Sequence, residues 1–317
     1  MKVETTRTAV AVRLQHSAAF HSSVGHLHQQ LIPLVRSGLE RGGPVAVALS
    51  PDTEAALLAE LGQPAGLIVL ARPHGPDAGS GQTVAALRAR ELRELTAAAG
   101  PATVISEHWN ALDGADGGFW TEFDAALNIA LADLAIDLTC FFPEMPLHQA
   151  ILDGARRNHP HLLLDGRLHH NPDHRPPREV LAELPAAAPM LLGAPELQVT
   201  FGAWQLGEVR TAVESVLLAS DYGAARAEDV VLAVNEIATN AVEHGAGEAR
   251  MFVWAGADGF VCEVHDTGIL RDPLPGLQAP HPSDPRGRGV WIARQLCDSL
   301  HVWTDGRGTH VRMYAAR

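Results

Sequence analysis

The stretch from Val230 to Gly247, VVLAVNEIATNAVEHGAG, constrains the fold of this chain more than any other. At 3.6 residues per turn, its apolar and polar residues fall on opposite faces, which predicts an amphipathic helix with a buried back. Glu236, Asn240 and His244 lie one turn apart on the polar face. A carboxylate, an amide and an imidazole in this array indicate a site for a metal-bound phosphate chain with a proton acceptor beside it.

Length and charge narrow the function classes. A chain of 317 residues with 46% hydrophobic content predicts two domains, each with its own core. The net charge of -13 argues against a nucleic-acid partner, because phosphate binding needs a basic face. Lys2 is the only lysine among the 24 basic residues. This excludes a phosphate-binding loop that ends in GK[ST] and makes Schiff-base chemistry improbable.

Cysteine usage and hydropathy predict the compartment. Cys140, Cys262 and Cys297 are odd in number and each falls in an apolar stretch, so we interpret them as small buried side chains in a reducing environment. The sequence contains neither a signal-peptide pattern nor an apolar run near twenty residues. We therefore expect a soluble, cytoplasmic protein with no membrane partner.

The first half of the chain alternates helical patterns with short apolar strands. We predict helices over 24–41, 52–61, 83–99, 119–132 and 147–157, the second of them capped by Asp52, and strands over 44–50, 66–71, 101–106, 135–140 and 161–164. This alternation is typical of an α/β fold whose largely parallel sheet is buried on both faces. Neither a glycine-rich loop nor a lysine follows the strand PVAVALS, so we expect no nucleotide hydrolysis in this half.

Histidines are dense between residues 148 and 174. Imidazole is a common ligand of transition metals, so a metal or haem site is one hypothesis for this region. The spacing matches no structural zinc pattern and includes no cysteine pair, so solvated or partner-facing histidines are the preferred interpretation. The histidines near the start of the chain (His16, His21, His26 and His28) are assigned to helix faces and caps, with no functional role.

The first half also resembles a known family. The motifs that carry the resemblance are His16, the run from His21 to Gly42, the strand PVAVALS, the segment around Asn128, and Cys140 with the Phe-Phe-Pro that follows it. Together they resemble the MEDS sensory domain, an input module of bacterial regulators with a RecA-like core. The resemblance implies a sensory domain over residues 10–170 but names no ligand. In this chain Cys140 is followed by Phe-Phe-Pro-Glu, where the family usually has a Tyr-Asp pair.

Residues 171–197 form a predicted connector. Six prolines lie between Asn171 and Gln198, and those at both ends forbid a long continuous helix. The segment REVLAEL is long enough for about two helical turns. We expect a semi-rigid linker between the two domains.

The second half carries the chemistry. We predict a strand over 197–201, helices over 207–220 and 290–300, and hairpins over 250–265 and 301–314. Asp266, at a strand end beside Gly268, is placed to accept a hydrogen bond from an exocyclic amine such as that of adenine. Gly287, Arg288 and Gly289 before a helix, with Arg286, form a predicted anion cradle.

Four motifs of this half follow one another in a set order. They are NEIATNAVEHG from Asn235, DTG from Asp266, GRGVWIARQLCD from Gly287, and Gly308-Thr309 before the last strand. In this order they resemble the GHKL, or Bergerat-fold, ATP-binding domain, and specifically its anti-sigma-factor serine kinases. The resemblance implies an α/β-sandwich domain over residues 198–317 that binds ATP and Mg²⁺.

The resemblance to GHKL kinases implies roles for single residues. Asn240 would ligate Mg²⁺, Asp266 would bind the adenine amine, and Glu236 would be the general base. The remaining nucleotide-binding positions would be Gly268, Arg286, Gly287, Arg288, Gly289 and Thr309. Leu270 departs from the family, which often has a further glycine there, and the segment from Ile269 to Pro285 is short and proline-rich.

The same resemblance implies partners. The expected function is phosphorylation of a serine or threonine on a STAS-type anti-sigma-factor antagonist, with direct binding of a sigma factor as a second partnership and a homodimer as the assembly. A partner-binding module without phosphotransfer is the alternative. The expected organisation is a sensory domain that controls a kinase domain.

Overall fold

The structure, a computed structural model, describes residues 13–72, 80–108, 117–184, 188–257, 259–270, 272, 274–281, 283 and 287–317. These residues form a parallel-rich sheet and an antiparallel sheet, each packed against helices. This confirms the mixed α/β class predicted for the chain. Within the described residues, no helix combines the length and apolarity needed to span a membrane.

The first sheet has seven strands in the order β3-β2-β4-β5-β1-β6-β7. Every neighbouring pair is parallel except the β6–β7 hairpin. Its strands are β1 (Gln15–His21), β2 (Val45–Ala48), β3 (Leu67–Val69), β4 (Ala102–Glu107), β5 (Ile136–Pro143), β6 (His161–Leu164) and β7 (Arg167–His170). Its helices are α1 (Val24–Glu40), α2 (Pro51–Leu61), α3 (Gly81–Ala99), α4 (Gly118–Ala130), α5 (Gln149–Asn158) and α6 (Pro177–Glu183).

Helices cover both faces of this sheet. Alternate residues of a strand point to opposite faces, so Val104 of β4 lies in the same core as Phe123 of α4, while Ile105 lies in a second core with Leu31 of α1. All five of the predicted strands and all five of the predicted helices are present, with ends displaced by up to three residues. The parallel sheet buried on both faces is therefore confirmed.

Three details differ from the sequence-based expectation. Ser50, and not Asp52, caps α2, because its hydroxyl accepts a hydrogen bond from the Thr53 amide (3.3 Å). The hairpin strand β7, at Arg167–His170, was not predicted, because its exposed and polar residues lack the pattern of a buried strand. Helix α6 also packs on α4 with Val180 and Leu181 buried, so part of the predicted connector belongs to the first core.

The second sheet has five antiparallel strands in the order β11-β12-β10-β9-β8. Its elements are β8 (Leu197–Gly202), a 3-10 turn (Ala203–Gln205), α7 (Leu206–Ala219), α8 (Ala224–His244), β9 (Glu248–Gly256), β10 (Gly259–Asp266), α9 (Gly289–Leu296), β11 (Ser299–Asp305) and β12 (Gly308–Ala315). The three helices share one core with one face of this sheet. The predicted strands, helices and hairpins of this half are all present.

Helix α8 is the element predicted from the amphipathic stretch. It begins at Ala224, six residues before the stretch from which it was predicted, and ends at His244. Val230, Val234, Ile237 and Ala241 are buried in the second core, so the apolar face sets the rotation of the helix. Glu236 and Asn240 are half-buried on its other side.

Helix α9 is shorter than predicted. We expected it to continue to Leu300, but it ends at Leu296 and β11 begins at Ser299. Leu300 and Val302 point into the second core from this strand, where β11 pairs with β12. Pairing of the last two strands therefore overrides the helical pattern of the sequence.

The two sheets meet through buried polar contacts. Gln82, at the start of α3, donates to the Val302 carbonyl (3.1 Å) and accepts from the Arg294 guanidinium (2.9 Å). Arg294 also donates to the carbonyls of Pro275 and Leu300, and burial lowers its pKa to about 10. Gln82 and Arg294 are 1% and 3% exposed, so these hydrogen bonds lie in a dry interface.

We expect Gln82→Met to weaken this interface. The substitution preserves side-chain length but leaves the Arg294 guanidinium and the Val302 backbone groups without their partner. Each unpaired buried polar group costs about 1–3 kcal/mol, so the free energy of unfolding should fall by roughly 2–4 kcal/mol in urea denaturation. The matched control is Gln149→Met on the exposed surface of α5, with an expected change within about 0.5 kcal/mol. Equal losses for the two variants would contradict a stabilising interface.

Candidate functional site

A cavity of about 890 Å³ opens between α8, the end of β10 and the start of α9. This volume lies within the range of small-molecule sites, which is about 300–1,000 Å³. Its apolar floor includes Val264, Val302 and Val311. Six of the predicted nucleotide-binding residues line it, namely Asn240, Asp266, Gly268, Gly287, Gly289 and Thr309. The cavity therefore unites motifs separated by up to 69 positions along the chain.

The start of α9 lies directly against the polar face of α8. A methyl group added at Gly289 would lie 2.7 Å from Glu236 Oε2 and 3.0 Å from Asn240 Nδ2. Glycine thus lets the backbone of α9 approach these two side chains. Backbone N–H groups at a helix start attract anions, and Gly287 and Gly289 both border the cavity. The carboxylate and amide of α8 are therefore held next to a surface suited to phosphate.

We expect Gly289→Ala to weaken nucleotide binding by at least roughly tenfold, since the new methyl group displaces Glu236 and Asn240 or shifts α9. Isothermal titration calorimetry with ATP and Mg²⁺ measures this directly. Gly306→Ala is the matched control, because a methyl group there meets no atom within 4 Å. Unchanged affinity in Gly289→Ala would show that the close approach of α9 to α8 is not needed.

Asp266 terminates β10 inside the cavity wall. Its Oδ1 accepts a hydrogen bond from the Gly268 amide (2.7 Å), the one side-chain hydrogen bond that the described residues give this carboxylate. Burial raises the pKa of Asp266, opposed by that hydrogen bond and by the neighbouring His310, His244 and His265. The carboxylate keeps an acceptor oxygen for a ligand.

Gly268 and Thr309 complete the surroundings of Asp266. Thr309 pairs with Asp266 across the β10–β12 ladder, and its hydroxyl donates to the Gly268 carbonyl (2.9 Å). A methyl group at Gly268 would lie 2.5 Å from the His244 carbonyl, so only glycine lets this loop pack on the end of α8. The DTG and GT motifs therefore form one hydrogen-bonded unit.

The other predicted residues lie in different places. Glu236 contacts the start of α9 but is absent from the cavity wall that the described residues form. Arg288 is exposed at the N-cap of α9, and Arg286 falls outside the described residues. His244, the third residue of the polar array on α8, is exposed and lines the cavity.

The proline-rich segment from Ile269 to Pro285 also lines the cavity, which was not predicted from the sequence. Asp272, Pro275 and Gly276 line it, and the neighbouring Leu274 and Leu277 are buried in the core of the first sheet. The signal for this docking was the pair of leucines among the prolines. Leucine side chains are usually buried, so two of them in an irregular segment indicate that the segment packs against a core.

Comparison with known proteins adds an independent observation. Residues 202–315 match the family model of the histidine kinase-like ATPase domain. No curated protein matches the chain. The ATPase domain contains the whole cavity and all of its lining residues. A domain of the histidine kinase-like ATPase (GHKL) type is therefore present at residues 202–315. The MEDS resemblance of the first half stays a prediction.

The residues of the ATPase domain fit a magnesium nucleotide. Gly287 and Gly289 leave backbone open to phosphate, Asn240 offers a hard oxygen ligand for Mg²⁺, and Asp266 offers an acceptor near the apolar floor. The fit needs no lysine.

Proposed function

We propose that the ATPase domain binds ATP with Mg²⁺ and transfers its terminal phosphoryl group to a serine or threonine of an anti-sigma-factor antagonist. The observation that carries the proposal is the meeting of Asp266, Asn240 and the start of α9 around one cavity. Asp266 would accept the adenine amine, Asn240 would hold Mg²⁺, and the amides near Gly287 would hold the phosphates. ATP would supply the phosphoryl group, and Mg²⁺ would neutralise its charge.

Glu236 is the proposed general base. Its carboxylate lies one turn before Asn240 on α8 and against Gly289 at the start of α9, so it is next to two residues of the proposed phosphate end of the cavity. A carboxylate here can accept the proton of an incoming hydroxyl while Asn240 positions the phosphates. Phosphorylation of the antagonist would change the availability of a sigma factor, which we propose as the output of the protein.

The first sheet and its helices are the proposed controlling unit. The segment that closes the cavity is anchored in the first core by Leu274 and Leu277, and Asp272 forms an ion pair with Arg178 of α6 (3.5 Å). A movement of the first unit would therefore move one wall of the cavity. This arrangement supports regulation of ATP binding by a sensory domain.

Isolation of the antagonist with the full chain tests this proposal. The purified pair is incubated with ATP labelled at the terminal phosphate, with and without Mg²⁺, and the label is mapped by mass spectrometry. We expect Mg²⁺-dependent labelling of a serine or threonine on the co-purified protein. Nucleotide binding without transfer would favour the alternative of a partner-binding module, and failure to bind ATP would overturn the proposal.

A further inference from the structure

Four chemically reactive side chains meet inside the first unit, far from the cavity in sequence. His16 of β1, Asp124 of α4, Cys140 of β5 and His159 after α5 each place a ligand atom within 4.8 Å of the others. All four residues are buried, with exposed fractions between 0% and 6%. Two imidazoles, a thiol and a carboxyl group form one dry cluster, although ionisable side chains are seldom fully buried unless they are paired.

The two histidine rings are oriented alike. Nδ1 of His16 donates to Oδ1 of Asn128 (3.0 Å), whose own amide group donates to the Asn158 carbonyl (2.7 Å) and thereby fixes which atom faces the ring. Nδ1 of His159 donates to the Ala155 carbonyl (2.6 Å). In both rings Nε2 is thus the unprotonated nitrogen: that of His16 faces the Cys140 thiol (3.4 Å), and that of His159 has no partner. Metal-binding histidines are held in this way, with the other nitrogen donating to an oxygen acceptor.

Two groups of the cluster are left without partners. Nε2 of His159 is fully buried and has no hydrogen-bond partner. The Asp124 carboxyl group is 4% exposed and accepts no hydrogen bond from the described residues. An unpartnered buried polar group costs free energy, and an ion bound between these two side chains would satisfy both of them.

We propose that His16, Asp124, Cys140 and His159 form a binding site for a divalent metal ion of the zinc class. Imidazole, thiolate and carboxylate are the ligands that zinc takes in proteins, usually four in tetrahedral geometry. Binding would release one proton from the Cys140 thiol and one from the Asp124 carboxyl group. The thiolate and carboxylate then balance the two positive charges, and the buried site is neutral overall.

The distances are compatible with such an ion. Metal–ligand bonds of 2.0–2.3 Å in a tetrahedron separate the ligand atoms by about 3.3–3.8 Å. His16 Nε2 and Cys140 Sγ are 3.4 Å apart, within that range. The rings of His16 and His159 have their centroids 4.1 Å apart. All four ligand atoms lie within 4.8 Å of one another, so shifts of roughly 1 Å would bring them to tetrahedral separations.

A nucleophilic role is the main rival. Cys140, His16 and Asn128 are connected in the order of a thiol, a base and an orienting amide. A nucleophile has to meet a substrate, yet Cys140 is 6% exposed, and burial raises the pKa of its thiol well above the usual range. The triad also leaves Asp124 and His159 without a use, whereas a metal ion engages all four residues.

Metal titration of the full chain tests the proposal. The protein is stripped with a chelator, dialysed, and titrated separately with Zn²⁺ and Co²⁺. We expect about one tightly bound zinc ion per chain and release of about two protons per ion in weak buffer. The Co²⁺ form should show tetrahedral visible absorption together with a thiolate-to-cobalt charge-transfer band.

Substitutions test whether the charge-transfer band and the zinc affinity depend on these residues. Cys140→Ser should remove the charge-transfer band, whereas Cys262→Ser, which changes a buried cysteine of the second sheet, should leave it intact. Asn128→Leu, which removes the hydrogen bond to His16, should weaken zinc affinity by about 10- to 100-fold. Far-ultraviolet circular dichroism checks the fold of each variant.

Two measurements on wild-type protein do not depend on whether a variant folds. In folded wild-type protein, zinc should slow alkylation of Cys140 and should raise the melting temperature. Failure to bind zinc, or a charge-transfer band that survives in folded Cys140→Ser, would overturn the site. Rapid alkylation of Cys140 that zinc does not slow would favour the nucleophile instead.

Discussion

Replacement of Asp266 by alanine is expected to weaken ATP binding by roughly 10- to 100-fold, because the lost hydrogen bond leaves a ligand amine unpaired at a cost of about 1–3 kcal/mol. The carboxylate lies at the end of β10 in the cavity wall and has one acceptor oxygen to offer. Calorimetric titration with ATP and Mg²⁺ measures the change. Asp229→Ala, an exposed aspartate on α8, is the control with unchanged affinity.

A comparison of ATP with GTP tests whether Asp266 contacts the base. Guanine presents a carbonyl oxygen where adenine presents its amine, so the Asp266 carboxylate should repel GTP and favour ATP. Wild-type protein should therefore prefer ATP, and Asp266→Ala should lose most of that preference. If Asp266→Ala keeps the selectivity, Asp266 does not contact the base.

Glu236→Gln is expected to slow phosphoryl transfer by roughly 10²- to 10⁴-fold, the usual contribution of a general base. ATP affinity should change little, because Glu236 lies outside the cavity wall formed by the described residues. Single-turnover transfer of labelled phosphate to the co-purified antagonist separates the chemical step from binding. Glu228→Gln, an exposed carboxylate two turns earlier on α8, controls for the loss of a negative charge.

The result of the Glu236 experiment discriminates between functions. Slow transfer with intact ATP binding supports a kinase in which this carboxylate takes the proton. Equal transfer rates in Glu236→Gln and wild-type protein would remove Glu236 from the chemistry without touching ATP binding.

The periodic parts of the chain were predictable, and α8 is the best example. Its apolar stripe predicted both the helix and the rotation that turns Asn240 towards the cavity. The end of α9 was not predictable from local pattern, because pairing of β11 with β12 turns Leu300 into a strand residue. Helix propensity is a local preference, whereas strand pairing depends on residues far along the chain.

The cluster around His16 was missed for a related reason. Its ligands come from β1, α4, β5 and the end of α5, so no local spacing joins His16 to Cys140. The sequence drew attention to the histidines between 148 and 174, but among the described residues only His159 of that region joins the cluster. His16 was assigned to a helix face or a cap, whereas it lies buried in β1.

Helix α4 contributes side chains both to the proposed metal site and to the contact between the two sheets. It carries Asp124 and Asn128 towards the proposed metal ion, and it carries Glu122, which accepts a hydrogen bond from Gln82 (3.2 Å) at the contact with Arg294. Thermodynamic linkage makes any coupling along this helix reciprocal. If zinc changes the affinity for ATP by some factor, ATP must change the affinity for zinc by the same factor, so each ligand reports on the other.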